Sequence, residues 1–240
     1  MPQHIVIIGN GIAGITCARN VRKQSNDDIT VISSETEHFY SRTALMYVYM
    51  GHMKYEHIKP YEDWFWSKNR IQLVKDHVTS VDTERKQLTL QSGKTINYDK
   101  LVIASGSKSK MPDYAGINLK GVQGLYGMPD VELMLEKTRG IRRGVVVGGG
   151  LVGIEMVEML LSKNIHVSFL IRENVYWNSV LPKEEATLVT KHIREHFVDL
   201  KTGTELKEIR GDSNGSVTSV ITNKDEEIKC EFVGVAVGVS

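Results

Sequence analysis

Two short stretches of this 240-residue chain have the makings of an anion cradle. The first, "IVIIGNGIAG", carries Gly9, Gly11 and Gly14. The second, "VVVGGGLVGIE", carries Gly148, Gly150 and Gly153. In each, an apolar run drops into glycines and emerges in a helical pattern. The chemistry suited to that spacing is capture of a dinucleotide through its pyrophosphate, which sits over a helix N-terminus where free N–H groups and the dipole favour negative charge. Gly9 and Gly148 make the tight turn. Gly11 and Gly150 let the backbone approach the phosphates without a Cβ, and Gly14 and Gly153 let helix and strand pack closely. One such motif is weak evidence; two, each after a strand and before a helix in duplicated surroundings, are strong.

The end of the following strand normally reads the ribose. In "ITVISSE" the acid is Glu35, able to accept hydrogen bonds from a ribose diol; Glu37 lies two residues on, and the residues alone do not separate the two. In the second half the strand ends "SFLIREN", with Ile171 at the expected acid position and Arg172 and Glu173 after it. Arg172 suits a 2′-phosphate and hence NADPH, whereas Gly153 and Glu173 point to NADH. Both readings stand at this stage. Two dinucleotides in one chain suggest electrons moving between them, and the economical pair is FAD with NAD(P)H, since flavin and nicotinamide carry the hydride chemistry themselves.

The elements that must position these residues repeat along the chain. His4–Ile8 reads as a buried strand, Ile12, Ile15 and Val21 recur at helical spacing, and 29–32 is the next strand. Residues 40–68 are rich in aromatic residues and methionine and predict short helices or ordered loops. Residues 70–104 predict a small antiparallel meander closed by a buried strand over 101–104. Loop signals crowd 105–130 and mark a domain junction. Beyond it come a helix over 129–138, a strand at 145–147, a helix with Leu151, Ile154, Val157 and Leu161 on one face, a strand over 166–171, a helix over 183–196 and a second meander ending near Gly238.

Composition excludes several other classes. The chain is 41% apolar and 25% charged, with 30 basic and 29 acidic residues for a net charge of +1, so nothing marks a nucleic-acid partner. No apolar stretch reaches the roughly 20 residues of a membrane helix, and the N-terminus runs almost directly into a strand, leaving little room for a targeting peptide. Cys17 and Cys230 form no CxxC and no zinc spacing, consistent with a reducing, cytoplasmic setting. His52 and His57 fall off a common helix face. His192 and His196 stand at i, i+4, a spacing that can bind zinc, but no HExxH accompanies them and no metal site is expected. Trp64, Phe65 and Trp66 are either a docking patch or, as aromatics more often are, core packing.

The motifs "GNGIAG", "YSRTAL", "YDKLVIASGS", "VVVGGGLVGIE" and "FVGVAVGVS" resemble the pyridine nucleotide–disulfide oxidoreductases, and within them the branch of rubredoxin and ferredoxin reductases and the flavin part of nitrite reductase. The resemblance spans nearly the whole chain. It implies an α/β fold of two Rossmann-like domains of the three-layer ββα type, each with a parallel sheet and a small antiparallel meander: an FAD-binding domain, first portion only, over 1–110 and an NAD(P)-binding domain over 111–240. It implies that Gly9, Gly11 and Gly14 cradle the FAD pyrophosphate, that Arg42 lies along the flavin cofactor, and that backbone near Val78 approaches the adenine. Ala104, Ser105 and Gly106 stand where the family has Ala-Thr-Gly, and Gly238 closes the corresponding strand of the second half.

Three departures from the family pattern matter. Where its single-cysteine members place a redox cysteine, this chain has Thr43, so electrons are expected to leave the flavin without a dithiol relay, for an acceptor protein, a quinone or oxygen. Glu155 occupies the family's glutamate after the second fingerprint, but its lysine partner is replaced by Tyr47. Relatives continue past "VGVS" into a further flavin-binding portion and an interface domain, so the chain reads as a truncated one, and apolar surface left uncovered favours self-association, a homodimer being the simplest form. The resulting expectation is an FAD-dependent NAD(P)H oxidoreductase. An NAD(P)H oxidase or quinone reductase is the enzymatic alternative, and a nucleotide-binding or redox-sensing module the non-enzymatic one.

Overall fold

The computed structural model describes residues 2–240. The chain forms two compact units: Met1–Ala44 with Met53–Gly106, and Leu45–His52 with Ser107–Ser240. In chain order, strand β1 (His4–Ile8), helix α1 (Ile12–Gln24) and strand β2 (Asp28–Ser33) open the first unit. Helix α2 (Leu45–Met50) belongs to the second. The first then resumes with α3 (Trp64–Lys68), β3 (Ile71–Lys75), the meander β4 (Val78–Asp82), β5 (Gln87–Leu90) and β6 (Thr95–Asn97), and β7 (Lys100–Ile103). Its main sheet has the order β3-β2-β1-β7 and is parallel throughout.

Alternation along the central strands explains the layers, because successive side chains point to opposite faces. Ile5, Ile7, Ile29 and Val31 turn to α1, where they meet Ile15 and Ala18 with Phe39, Trp66 and Ile71. Val6 and Ile32 turn the other way and meet Leu88, Leu90 and Tyr98 of the meander. A sheet covered on both faces needs apolar residues at successive positions, which is what the run in β1 supplies.

The second unit repeats this plan. After β8 (Val122–Gln123) and α4 (Met128–Lys137) come β9 (Arg143–Val147), α5 (Leu151–Leu161), β10 (His166–Leu170), α6 (Lys183–Glu195) and β11 (Asp199–Lys201). The meander β12 (Leu206–Gly211), β13 (Val217–Thr222) and β14 (Glu227–Lys229) follows, then β15 (Phe232–Val235). Its main sheet, β11-β10-β9-β15-β8, is likewise parallel. Val145, Val147, Leu170, Val233 and Val235 pack against Leu206, Ile209, Val217 and Val220 of the meander.

The structure departs from the sequence expectation in four places. β3 and β11, both read as the opening of a meander, are instead edge strands of the parallel sheets. The strand expected to be buried at 101–104 forms as β7 but lies at a sheet edge, with Ile103 68% exposed. The buried face of α5 is Gly153, Met156, Val157, Met159 and Leu160, while Leu151 at its start is exposed. Finally, residues 45–52 fold with the second unit. There Tyr49 is fully buried and its hydroxyl lies 2.7 Å from the Thr138 hydroxyl, while the Lys163 ammonium sits 5.5 Å above the Tyr49 ring.

Candidate dinucleotide sites

Each parallel sheet ends in a glycine loop that leads into a helix with no side-chain cap: Gly11 is the N-cap of α1 and Gly150 the N-cap of α5. The first-turn N–H groups of both helices therefore have no capping side chain. The three glycines of each loop divide by geometry. A Cβ on Gly9 would overlap the Ala104 carbonyl oxygen, and one on Gly14 would overlap the Gly9 carbonyl oxygen. Gly148 stands in the same relation to Ala236, and Gly153 to Gly148. Gly9 and Gly148 also hold φ of +108° and +114°, a region that only glycine enters without strain. Around Gly11 and Gly150, by contrast, a Cβ would meet no atom within 4 Å. The outer glycines thus serve packing, and the middle one leaves an open face for a ligand, the arrangement a pyrophosphate requires.

In the first unit a cavity of about 260 Å³ opens at this loop. Gly9, Gly11, Glu35, Arg42, Val78, Ala104 and Ser105 all line it, with Asn10, Asp76 and His77 beside them. Gly14 lies behind the loop, and Gly106 follows it at φ +73°. Of the two glutamates, Glu35 and not the exposed Glu37 lines the cavity. It is held firmly: Arg42 donates to it from Nη2 at 2.6 Å and from Nη1 at 3.2 Å, and the Tyr40 hydroxyl donates to the same carboxylate while accepting from Arg42 at 3.0 Å. Tyr40 is a residue that sequence reasoning missed. Tyr40 opens the "YSRTAL" motif two residues before Arg42, the signal that could have found it.

In the second unit a cavity of about 440 Å³ lies at the corresponding place. It brings together Gly148, Gly150, Arg172 and Gly238, with Glu173 and Trp177. Arg172 is largely exposed and pairs with Glu173 at 2.9 Å, which raises the guanidinium's pKa further. The less exposed Glu173 carboxylate reaches toward Gly149, where a Cβ would stand 3.5 Å from its Oε2. Gly153 packs beneath the loop against Phe169. Glu155 does not line the cavity. It sits beyond the first turn of α5, and burial, with Glu158 nearby, pushes its carboxyl above the usual range. No ion pair reaches it among the described residues.

The remaining candidates separate clearly. Cys17 packs at the edge of the first core and Cys230 is buried in the second, where burial pushes its thiol up to about 12; neither lines either cavity. Phe65 and Trp66 belong to a ring cluster with Tyr61, whereas Trp64 is 58% exposed. The His192 and His196 rings stand 4.1 Å apart on the exposed side of α6. No group of three or more metal-ligating side chains occurs among the described residues, and no helix there is long and apolar enough to cross a membrane.

Residues 3–240 match the family model described as pyridine nucleotide-disulphide oxidoreductase. The chain is similar to the ferredoxin–NAD(+) reductase subunit of the benzene 1,2-dioxygenase system of Pseudomonas putida, 28% identical over 99% of this chain and 58% of that one. It is also similar to a nitrite reductase [NAD(P)H] of Bacillus subtilis, 27% identical over 99% of this chain and 30% of that one. Among solved structures, a ferredoxin reductase from Rhodopseudomonas palustris superposes with a TM-score of 0.90 at 25% identity, covering 99% of this chain and 59% of that chain. The chain therefore spans well under two thirds of the relatives it matches.

Proposed function

Because this chain belongs to the pyridine nucleotide-disulphide oxidoreductase family, we propose that it is an FAD-dependent NAD(P)H oxidoreductase passing electrons to an external acceptor without a redox disulfide. The first unit takes FAD and the second takes the nicotinamide nucleotide. The observation that carries this reading is the pair of glycine cradles, each with two glycines required by backbone contact and a middle one facing open space. When bound, flavin and nicotinamide supply the hydride chemistry. The chain's own residues bind and orient. Gly11 and Gly150 admit phosphate to the N-termini of α1 and α5, and Glu35, locked by Arg42 and Tyr40, presents a fixed carboxylate to a ribose diol. In this reading the donor is NADH, because Glu173 stands at the glycine loop and already holds Arg172 in an ion pair. A carboxylate there accepts from a diol and repels a 2′-phosphate.

The acceptor is proposed to be a small iron–sulfur protein, in keeping with a relative named as a ferredoxin–NAD(+) reductase subunit. Thr43, standing where single-cysteine members of the family carry the redox cysteine, supports direct transfer. The test is the visible absorption of the purified chain supplied with FAD, recorded before and after anaerobic NADH and then NADPH. A flavin band that bleaches with NADH is the expected result. Failure of the chain to retain FAD, or a band that neither nucleotide bleaches, refutes the proposal.

A further inference from the structure

The two cradles solve one mechanical problem by different means. In the first, the residue between the first two glycines is Asn10, a buried side chain whose amide donates to the Thr36 carbonyl at 2.8 Å. This ties the glycine loop to the segment that follows β2. In the second, the equivalent residue is Gly149, which has no side chain to do so. Three consecutive glycines are also the backbone most able to turn a peptide plane over, since no Cβ resists it.

The tie comes instead from the segment that follows β10. The Trp177 indole N–H donates to the Gly149 carbonyl at 2.9 Å. Trp177 is itself held in place. Its ring stacks on Tyr176 with centroids 5.3 Å apart and planes 13° from parallel. The Tyr176 N–H donates to the Thr190 hydroxyl of α6 at 2.9 Å, and the Trp177 carbonyl accepts from the N–H groups of Val180 and Leu181. Trp177 also holds a left-handed backbone, φ +57°, a conformation that a bulky residue keeps only when its surroundings enforce it.

We propose that Trp177 is a positioning residue, a latch that fixes the Gly149–Gly150 peptide for the diphosphate of the dinucleotide. The peptide is planar and trans, so fixing the direction of the Gly149 carbonyl fixes the Gly150 N–H on the opposite edge. Release of the latch lets that peptide turn over and exchange an N–H donor for a carbonyl oxygen, which repels an anion. The inference rests on the second unit being the nicotinamide nucleotide site.

The test uses calorimetric titration of the FAD-supplied chain with NADH, ADP and adenosine. Trp177→Phe keeps a stacked ring and removes the donor. It should weaken NADH and ADP about five- to tenfold, the equivalent of one hydrogen bond, leave adenosine within about twofold, and leave the melting midpoint nearly unchanged. ADP binding as tight as in the parent, or an equal loss for adenosine, overturns the latch. If the Phe variant lacks a cooperative melting transition, Trp177→His, which restores a ring N–H, carries the same comparison: ADP affinity near that of the parent supports the latch, and a tenfold loss overturns it. A parent chain that binds neither NADH nor ADP refutes the site reading itself, a result separate from any effect of Trp177.

Discussion

The division of labour among the fingerprint glycines makes a sharp experiment, because two substitutions of the same kind, three residues apart, should fail in opposite ways. Gly14→Ala places a methyl into the Gly9 carbonyl oxygen, with Ile7 Cγ2 3.3 Å away. Helix α1 must then back off from β1. Forcing a methyl into a packed interface of this kind costs about 1–3 kcal/mol, and for a chain of this length each kcal/mol lowers the melting midpoint by about 2–4 °C. The expected drop is roughly 2–12 °C. Gly11→Ala meets no protein atom within 4 Å, and its φ of −70° is open to any residue. Alanine gains about 0.4–1 kcal/mol from a less flexible unfolded chain and loses a comparable amount as a poorer N-cap. The midpoint should therefore stay within about 2 °C. Yet that methyl fills the face reserved for phosphate. Loss of one hydrogen bond to a charged group, about 2 kcal/mol, corresponds to roughly thirtyfold weaker FAD binding. Melting of the cofactor-free proteins and titration of flavin fluorescence read the two effects separately. If Gly11→Ala melts as low as Gly14→Ala, or binds FAD as tightly as the parent, the cradle argument is wrong.

Further predictions concern the charges of the second unit. Glu173→Gln removes the carboxylate at the glycine loop and frees Arg172, so the preference between NADPH and NADH should move toward NADPH by roughly tenfold; adding Arg172→Ala should abolish that gain, and an unchanged ratio of kcat/KM values would count against Glu173 as the reader. Glu155 titrates higher in the fold than its ordinary 4.5 because of burial and then Glu158. The folded chain thus holds that proton more tightly, and the associated stability is present below pH 4.5 and lost as pH rises through the folded value. Glu155→Gln should raise the melting midpoint relative to the parent near pH 7.5 and lose the advantage near about pH 4; an equal offset at both pH values contradicts the assignment.

Much of this architecture was legible in the residues. Glycine spacing, an apolar run before it and a helical period after it are local signals, and they locate β1, α1, β9 and α5 correctly. β3 and β11 were harder. Each is short, sits at a sheet edge, and alternates like the meander strands that follow it, so nothing local distinguishes parallel from antiparallel pairing. Helix α5 offered too many apolar positions to phase its buried face; "LVGIEMVEMLL" has only two glutamates to mark the outside. The docking of α2 on the second unit depends on Tyr49 finding Thr138, far along the chain. Of the site, Glu35 and Arg172 followed from their place after the strand that succeeds each glycine motif, and Arg42 from the family resemblance of "YSRTAL". Tyr40 and Trp177 did not, because their roles arise from tertiary hydrogen bonds rather than from spacing.

The edge of β7 sets what kind of strand could add to it. In the second unit the equivalent strand β15 is covered by β8, whereas β7 ends its sheet with no strand beyond it among the described residues. Its outward N–H and C=O groups, with Ile103 exposed beside them, form a template for another strand. Geometry limits what can add. Two identical β7 edges related by a twofold axis pair antiparallel and close on themselves, consuming the template in one step. Pairing of β7 with the β3 edge of another copy runs head to tail and leaves a fresh edge at each end, so it propagates. Charged residues mark both edges, Arg70 and Lys75 at β3 and the exposed Lys100 at the start of β7. A twofold pair of such edges would thus be finite, and a head-to-tail pair open-ended.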